Sequence, residues 1–215
     1  MRGFDQHNPH HAFDLLTHTA RAVGATRPYF PLRLAALLHD VGKPDCLTLD
    51  EHGTGHFFGH EERSAQMAQE ILKRLKADRA TTQTVLPLVR NHMLLPVSEG
   101  RALRRRAARF GPAGYALLLE LGYADNIALG TAEAERLAAF RNALDATAAL
   151  ARTGSACLSL HELAVGGRDL LQLGFKPDAA LGNALRRLLE LVLDGKAENE
   201  REALLEAARR MLPEA

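Results

Sequence analysis

Tryptophan is absent from this 215-residue chain, cysteine occurs twice, and aromatic residues make up only 5%. Two thiols cannot build a disulfide framework, which excludes a small stapled secreted fold and makes a reducing cytoplasm the expected home. Long hydrophobic runs are also missing. The longest, such as Leu34 to Leu38, fall far short of the ~20 residues that a membrane span needs. Met1 to Asp5 reaches an acid before any apolar stretch, so no signal peptide is expected. Neither sign of charge dominates: Lys+Arg 27 against Asp+Glu 26 leaves +1, and any nucleic-acid contact must be a local patch. Apolar residues at 47% and charged residues at 25% exclude a disordered chain. Histidine is what the sequence has in quantity. There are 10, and imidazole is the commonest metal ligand and acid–base group.

Apolar positions recur at spacings of three and four among Ala, Leu, Arg and Glu, which makes the chain all-α. Helices are expected from Asn8-Pro9 to about Val23, from Leu32 to Val41 behind Pro31, and over Glu61–Lys76 and Thr82–Leu94. Further helices are expected over Arg101–Phe110, Gly114–Leu129, Ala132–Ala151, Pro177–Leu193 and Glu200–Leu212. Residues 45 to 59 break the pattern and predict a short hairpin or irregular loop. The turn Thr153-Gly154-Ser155 is the expected boundary, giving a first domain of residues 1–153 and a small helical extension of residues 154–215.

Chemistry concentrates at His39-Asp40, which closes an apolar run. Adjacent helical side chains diverge by about 100°, so both reach one pocket only near a helix end. A carboxylate buried beside an imidazole is costly unless something satisfies it, and a divalent cation would satisfy both. Capping of carbonyls or an arginine pair is the plainer alternative. Asp125 lies four residues after Leu121 and four before Leu129, an acid within an apolar stripe. That placement fits a buried ion pair and a metal ligand equally. His18, four residues after Asp14, reads most simply as a surface Asp–His pair. His60 follows Gly59, and His92 interrupts the apolar pattern from Val89 to Leu94. Arg101, Arg104, Arg105, Arg106 and Arg109 form a basic helix that either tracks phosphates or pairs with acids as a solvated face. Cys46 and Cys157 read as small buried hydrophobes.

Taken in order, His18, His39-Asp40, His60, His92 and Asp125 resemble the ligand series of the HD-domain metal-dependent phosphohydrolase superfamily. Three segments resemble the HD region of bacterial CCA-adding tRNA nucleotidyltransferases more closely. They are Asn8-Pro9-His10-His11 with Asp14 and His18-Thr19, Leu38 to Pro44, and His56-Phe57-Phe58-Gly59-His60-Glu61. Gly167 to Leu170, Gly174-Phe175-Lys176-Pro177 and Gly182 resemble the segment that follows it in those enzymes. The likeness spans roughly Asn8 to Ala208. It departs at Asp178, where related sequences usually have Gly, and few residues precede Asn8. No nucleotidyltransferase head with its Gly-Ser and paired carboxylates is recognisable, so nucleotide addition by this chain alone is not expected.

The resemblance implies an HD-domain helical bundle with a helical C-terminal extension. It implies a divalent metal on His18, His39, Asp40 and Asp125, and the donor types favour a transition ion (Ni, Mn, Co, Fe or Zn) with Mg as the alternative. Asp40, Lys43, His60 and His92 would be catalytic: Asp40 orienting water, Lys43 holding phosphate unless it is a solvated loop lysine. His60 and His92 would serve the leaving oxygen or hold a second ion, and a single tightly held metal is the expectation. His11, Lys43 and Arg63 would touch substrate. The implied activity is hydrolysis of nucleotide or RNA-end phosphate esters, namely 2′,3′-cyclic phosphates and 2′- or 3′-phosphates. Two rivals stand: a non-catalytic tRNA-binding module derived from a CCA-adding enzyme, and a nucleoside mono- or triphosphate phosphohydrolase. Expected partners are the phosphate substrate and tRNA along Arg101 to Arg109, with no membrane and with homodimerisation left open.

Overall fold

Asp14 sets where the chain first becomes helical. Its carboxylate accepts the Thr17 N–H at 2.8 Å, so α1 (Leu15–Ala25) starts there and not at the expected Asn8-Pro9. The computed structural model describes residues 1–8, 12–153 and 156–212. Among these, everything regular is helical except one two-stranded ribbon, as the all-α pattern requires.

After α1 come α2 (Phe30–Leu38), with Pro31 in its first turn, and the short α3 (Lys43–Cys46). The helix expected to continue to Val41 therefore stops at Leu38, and the chain turns through residues 39–42 before helical structure resumes. Strands β1 (Thr48–Leu49) and β2 (Gly55–His56) pair antiparallel, Thr48 opposite His56, which settles the choice between hairpin and loop. Then follow α4 (His60–Arg74), α5 (Arg79–Asn91), capped by Asp78, and α6 (Gly100–Leu129). The break expected between Phe110 and Gly114 is a kink inside α6. Gly111 adopts φ 70, ψ 153, which no helix contains, and Pro112 follows. Next are α7 (Ala134–Thr153), a 3-10 turn (Leu160–Glu162), α8 (Gly167–Gln172), α9 (Ala179–Leu193) and α10 (Arg201–Arg209). Asp178, the departure from the usual Gly, has its own use: its carboxylate accepts the Ala180 N–H and caps α9.

The chain forms two compact units, Met1–Val97 with Gly114–Asp145 and Ser98–Ala113 with Ala146–Ala215. That division falls elsewhere than the break expected after Thr153, and Gly154 and Ser155 lie outside the described residues. The reason is visible in residues 98–113, which bond within the second unit: Arg104 donates to the Leu193 carbonyl and Arg105 pairs with Asp194, both at 2.8 Å.

In the first unit α1 packs on α2, and α2, α4 and α5 pack on one another. Leu15, Leu32, Ala36, Ala65, Ala68, Val85 and Val89 are their buried apolar contacts. The second unit is built on Leu163, Val165, Leu170, Phe175, Leu188 and Leu204 from the 3-10 turn through α10. Cys157 is buried there as expected, whereas Cys46 is half-buried.

Gly42 fixes how closely the turn after α2 approaches α4. A Cβ on it would stand 2.6 Å from the Ser64 nitrogen and 2.9 Å from the Arg63 Cγ. Its N–H donates to Ser64 Oγ at 3.0 Å. Gly42→Ala should therefore destabilise the fold by about 1–3 kcal/mol, lowering the thermal midpoint by about 2–4 °C per kcal/mol. An unchanged midpoint would show that the turn is not clamped.

Candidate metal centre

The close of α2 is where the dyad acquires its geometry. Leu38 is its last residue, His39 is the C-cap, and Asp40 stands in the turn beyond. This is the helix-end placement that adjacent residues need in order to share a pocket. His18 lies on the buried face of α1, beside Leu15, Thr19 and Ala22, so the surface Asp14–His18 pair does not form. His60 is the first residue of α4, and Gly59 before it adopts φ 76, a left-handed value that glycine takes without penalty. His92 caps the end of α5. Asp125 projects from α6, with 19% of its side chain exposed.

These six side chains meet. His18 Nε2 lies 2.9 Å from Asp125 Oδ1 and 3.5 Å from Asp40 Oδ2. His39 Nε2 lies 3.2 Å from Asp40 Oδ2 and 3.3 Å from Asp125 Oδ1. On the other side of Asp40, its Oδ1 is 3.3 Å from His60 Nε2 and 3.6 Å from His92 Nε2. Two donor groups result, His18–His39–Asp40–Asp125 and Asp40–His60–His92, with Asp40 common to both.

Ring orientation decides whether the set fits a cation. His39, His60 and His92 each donate Nδ1–H to a backbone carbonyl, of Ala36, Phe57 and Val89, at 2.7 to 2.8 Å. A carbonyl can only accept, so the neutral ring presents a bare Nε2 lone pair to the pocket. Those lone pairs face other nitrogens: His18 Nε2 is 3.4 Å from His39 Nε2, and His60 Nε2 is 3.2 Å from His92 Nε2. Acceptors held face to face, with carboxylates between them, fit a divalent transition ion, and backbone-anchored imidazoles are the usual support for one.

Charge is concentrated here in the ion-free protein. Burial opposes a charge on His39, but Asp40 and Asp125 outweigh it and push the imidazole up to about 10. Burial would raise Asp40 too, yet His39 and Lys43 hold it well below the ordinary carboxylate range. Asp125 is likewise held low, by hydrogen bonds from His18 and His39 that overcome its burial. Lys43 is no solvated loop lysine. It is buried, its Nζ 2.8 Å from Asp40 Oδ2 and 3.0 Å from Gln6 Oε1, and the ammonium sits 5.2 Å over the Phe57 ring.

A cavity of about 360 Å³ opens onto the centre, lined by Asp40, Lys43, His60, His92, Asn126 and Arg136 among others. Arg63 is absent from its lining and pairs instead with Asp45 at 2.6 Å. His11 lies outside the described residues. Of the basic helix, Arg104 and Arg105 are engaged inside the second unit, and Arg109 lies over Phe110. Gln6 escaped the sequence reading because a lone glutamine near the N-terminus carries no periodic signal. Asn126 was legible in principle, as a second polar residue beside Asp125.

Residues 59–208 match the family described as tRNA nucleotidyltransferase domain 2, putative, and the chain belongs to that family. It is 31% identical over 211 residues to the A-adding tRNA nucleotidyltransferase of Deinococcus radiodurans, covering 94% of this chain and 48% of that protein. It is 34% identical over 182 residues to the CC-adding tRNA nucleotidyltransferase of Thermus thermophilus, covering 82% and 39%. A Multifunctional CCA protein of Aromatoleum aromaticum is 33% identical over 132 residues, covering 56% and 31%. The chain thus spans about half the length of these relatives, or less. Among the described residues no helix is long and apolar enough to cross a membrane.

Proposed function

We propose that the chain is a tRNA-directed module of the CCA-adding family whose first unit carries a metal-dependent phosphoester hydrolase centre. Family membership supports the tRNA-directed half, and supports it more directly than it supports hydrolysis. The observation that carries hydrolysis is the convergence of His18, His39, Asp40 and Asp125 on one point beside an open cavity. A divalent ion there supplies a more acidic water and charge for phosphoryl oxygens. The chain's own residues do the rest. Asp40 accepts a hydrogen bond from the attacking water and aligns it, while the water's proton leaves to solvent. Lys43, held by Gln6 and Asp40, presents an ammonium to a phosphoryl oxygen. The Nε2 atoms of His60 and His92, 3.2 Å apart on the far side of Asp40, share one proton taken up from solvent, and that proton goes to the leaving oxygen. In this reading one ion is held tightly by the first group. A titration with His60→Ala and His92→Ala should leave its stoichiometry unchanged while turnover is lost, and a fall from two ions to one would refute the single-ion assignment.

The deciding experiment screens the whole chain, loaded in turn with Ni, Mn, Co, Zn and Mg, against 2′,3′-cyclic nucleotides, 2′- and 3′-nucleotides, nucleoside mono- and triphosphates and 3′-phosphorylated RNA. Metal-dependent release of phosphate, or opening of the cyclic ester, is expected with RNA-end chemistry preferred. Preference for mono- or triphosphates would favour the nucleoside phosphohydrolase. Tight tRNA binding without turnover under any ion would leave the non-catalytic module standing.

A further inference from the structure

Phe57 and Phe58 are adjacent yet face opposite environments. Phe57 turns inward, beneath the Lys43 ammonium and 6.3 Å from the Phe4 ring. Phe58 is 80% exposed, although it lines the cavity that opens onto the donor groups. The His56 imidazole lies parallel and offset beside one face of its ring, with centroids 5.6 Å apart and planes inclined by 7°. His56 is held there by Asp50 at 3.1 Å. An exposed phenyl ring backed by a fixed, parallel imidazole leaves one flat face available to a planar ligand. The same cavity mouth also carries Met93 and Leu95, exposed by 59% and 67%, so its rim is apolar where its floor is charged.

Asn126 adds a polar mark inside that cavity. It is 3% exposed, and its Nδ2 donates to the Gly122 carbonyl at 2.7 Å, which fixes the amide orientation because that carbonyl can only accept. The amide oxygen is then a buried acceptor with no partner among the described residues. Such a group is costly to bury, and a donor on a ligand would satisfy it.

We infer that the rim formed by Phe58 on His56, Met93 and Leu95, with the Asn126 amide oxygen inside, is a nucleobase site that selects nucleotide or RNA-terminal esters over base-free phosphates. The inference rests on reading the first unit as a phosphoester site and names what its substrate must carry. A base stacks on Phe58 while its phosphate lies toward Lys43. Stacking on one aromatic tolerates any base, so the expected selection is for the presence of a base and not for its identity. Asn126 receives a hydrogen bond from a ribose hydroxyl or an exocyclic amine.

The test uses the full chain in EDTA, so that no turnover intrudes, with 2-aminopurine riboside 3′-phosphate as the probe and ribose phosphate as the base-free control. Binding should quench the 2-aminopurine fluorescence. Phe58→Ala should abolish the quench and weaken binding about tenfold, the loss of one base–aromatic stack, while Phe58→Tyr restores both. Asn126→Ala should weaken binding by roughly two- to tenfold with the quench intact. Ribose phosphate should bind both Phe58 variants as it binds the unaltered chain. A short RNA ending in the same nucleotide distinguishes free nucleotide from RNA terminus by which one binds more tightly. Unquenched probe, or an equal loss of ribose phosphate in Phe58→Ala, would overturn the inference and leave the apolar rim to a protein partner. With an ion restored, a chain that quenches but hydrolyses nothing keeps the base site and loses the hydrolase. A chain that hydrolyses base-free and nucleotide esters alike, indifferent to Phe58→Ala, does the reverse.

Discussion

Replacing Asp40 by asparagine should remove metal binding and lower phosphoester turnover by about a hundredfold or more, the scale of losing a preorganised charge at the reacting centre. The size follows from its position. Asp40 is the one residue shared by both donor groups, one oxygen toward His18 and His39 and the other toward His60 and His92. Asparagine keeps the volume but loses the charge, and its amide nitrogen would confront imidazole lone pairs or the Lys43 ammonium. The ion-free protein should suffer as well. Removing one partner of a buried pair costs up to about 3–5 kcal/mol, because Lys43 would be left at a buried site without its carboxylate. Denaturant titration in EDTA reads the stability, and equilibrium dialysis reads the ion. Full stability together with an undiminished ion count in Asp40→Asn would remove Asp40 from the centre of the site.

Ion affinity should climb steeply with pH. In the ion-free protein His39 titrates near 10, raised by Asp40 and Asp125 against the effect of burial. A folded value above the unfolded one, about 6.5, means that this group's contribution to stability is full below about pH 6.5 and fades as the pH rises through 10. An ion needs the same Nε2 and must displace the proton first. Between about pH 7 and 9 the apparent affinity should therefore rise about tenfold per pH unit, with about one proton released per ion. Calorimetry at pH 8 in two buffers of different ionisation enthalpy measures that proton directly. His60→Ala should leave the release in place. A binding enthalpy independent of buffer would mean that His39 is not a ligand.

The clustered residues were legible in the sequence because burying them breaks a pattern: Asp125 interrupts an apolar face, and His39-Asp40 ends an apolar run where a helix must close. His18 was harder, since its spacing from Asp14 offered a local partner. The fold instead uses Asp14 as an N-cap, turning the histidine inward. Lys43 could not be placed from sequence at all. Whether a lysine after a turn is solvated depends on what covers it, and here the cover is Gln6, 37 residues away. The partner of Arg63, expected at the substrate, was hidden for a similar reason: its guanidinium pairs with Asp45. The longer helices were found to within a few residues except at the start of α1, which is delayed to Leu15, but the short α3 and α8 were not: four and six residues are too few to show a period.

Residues 98–113 interrupt the sequence of the first unit but bond within the second, through Arg104 to Leu193 and Arg105 to Asp194. A discontinuous unit of this kind cannot be gained, lost or exchanged as a cassette. A recombination or truncation point placed after Thr153, where the sequence looks cut, would strand Leu103 and Ala107, both buried, without the segment their helix is tied to. Grafting the histidine–aspartate cluster onto another protein would accordingly require either both units or a loop rebuilt between Val97 and Gly114. The order of elements thus binds the inheritance of the second unit to that of the histidine cluster.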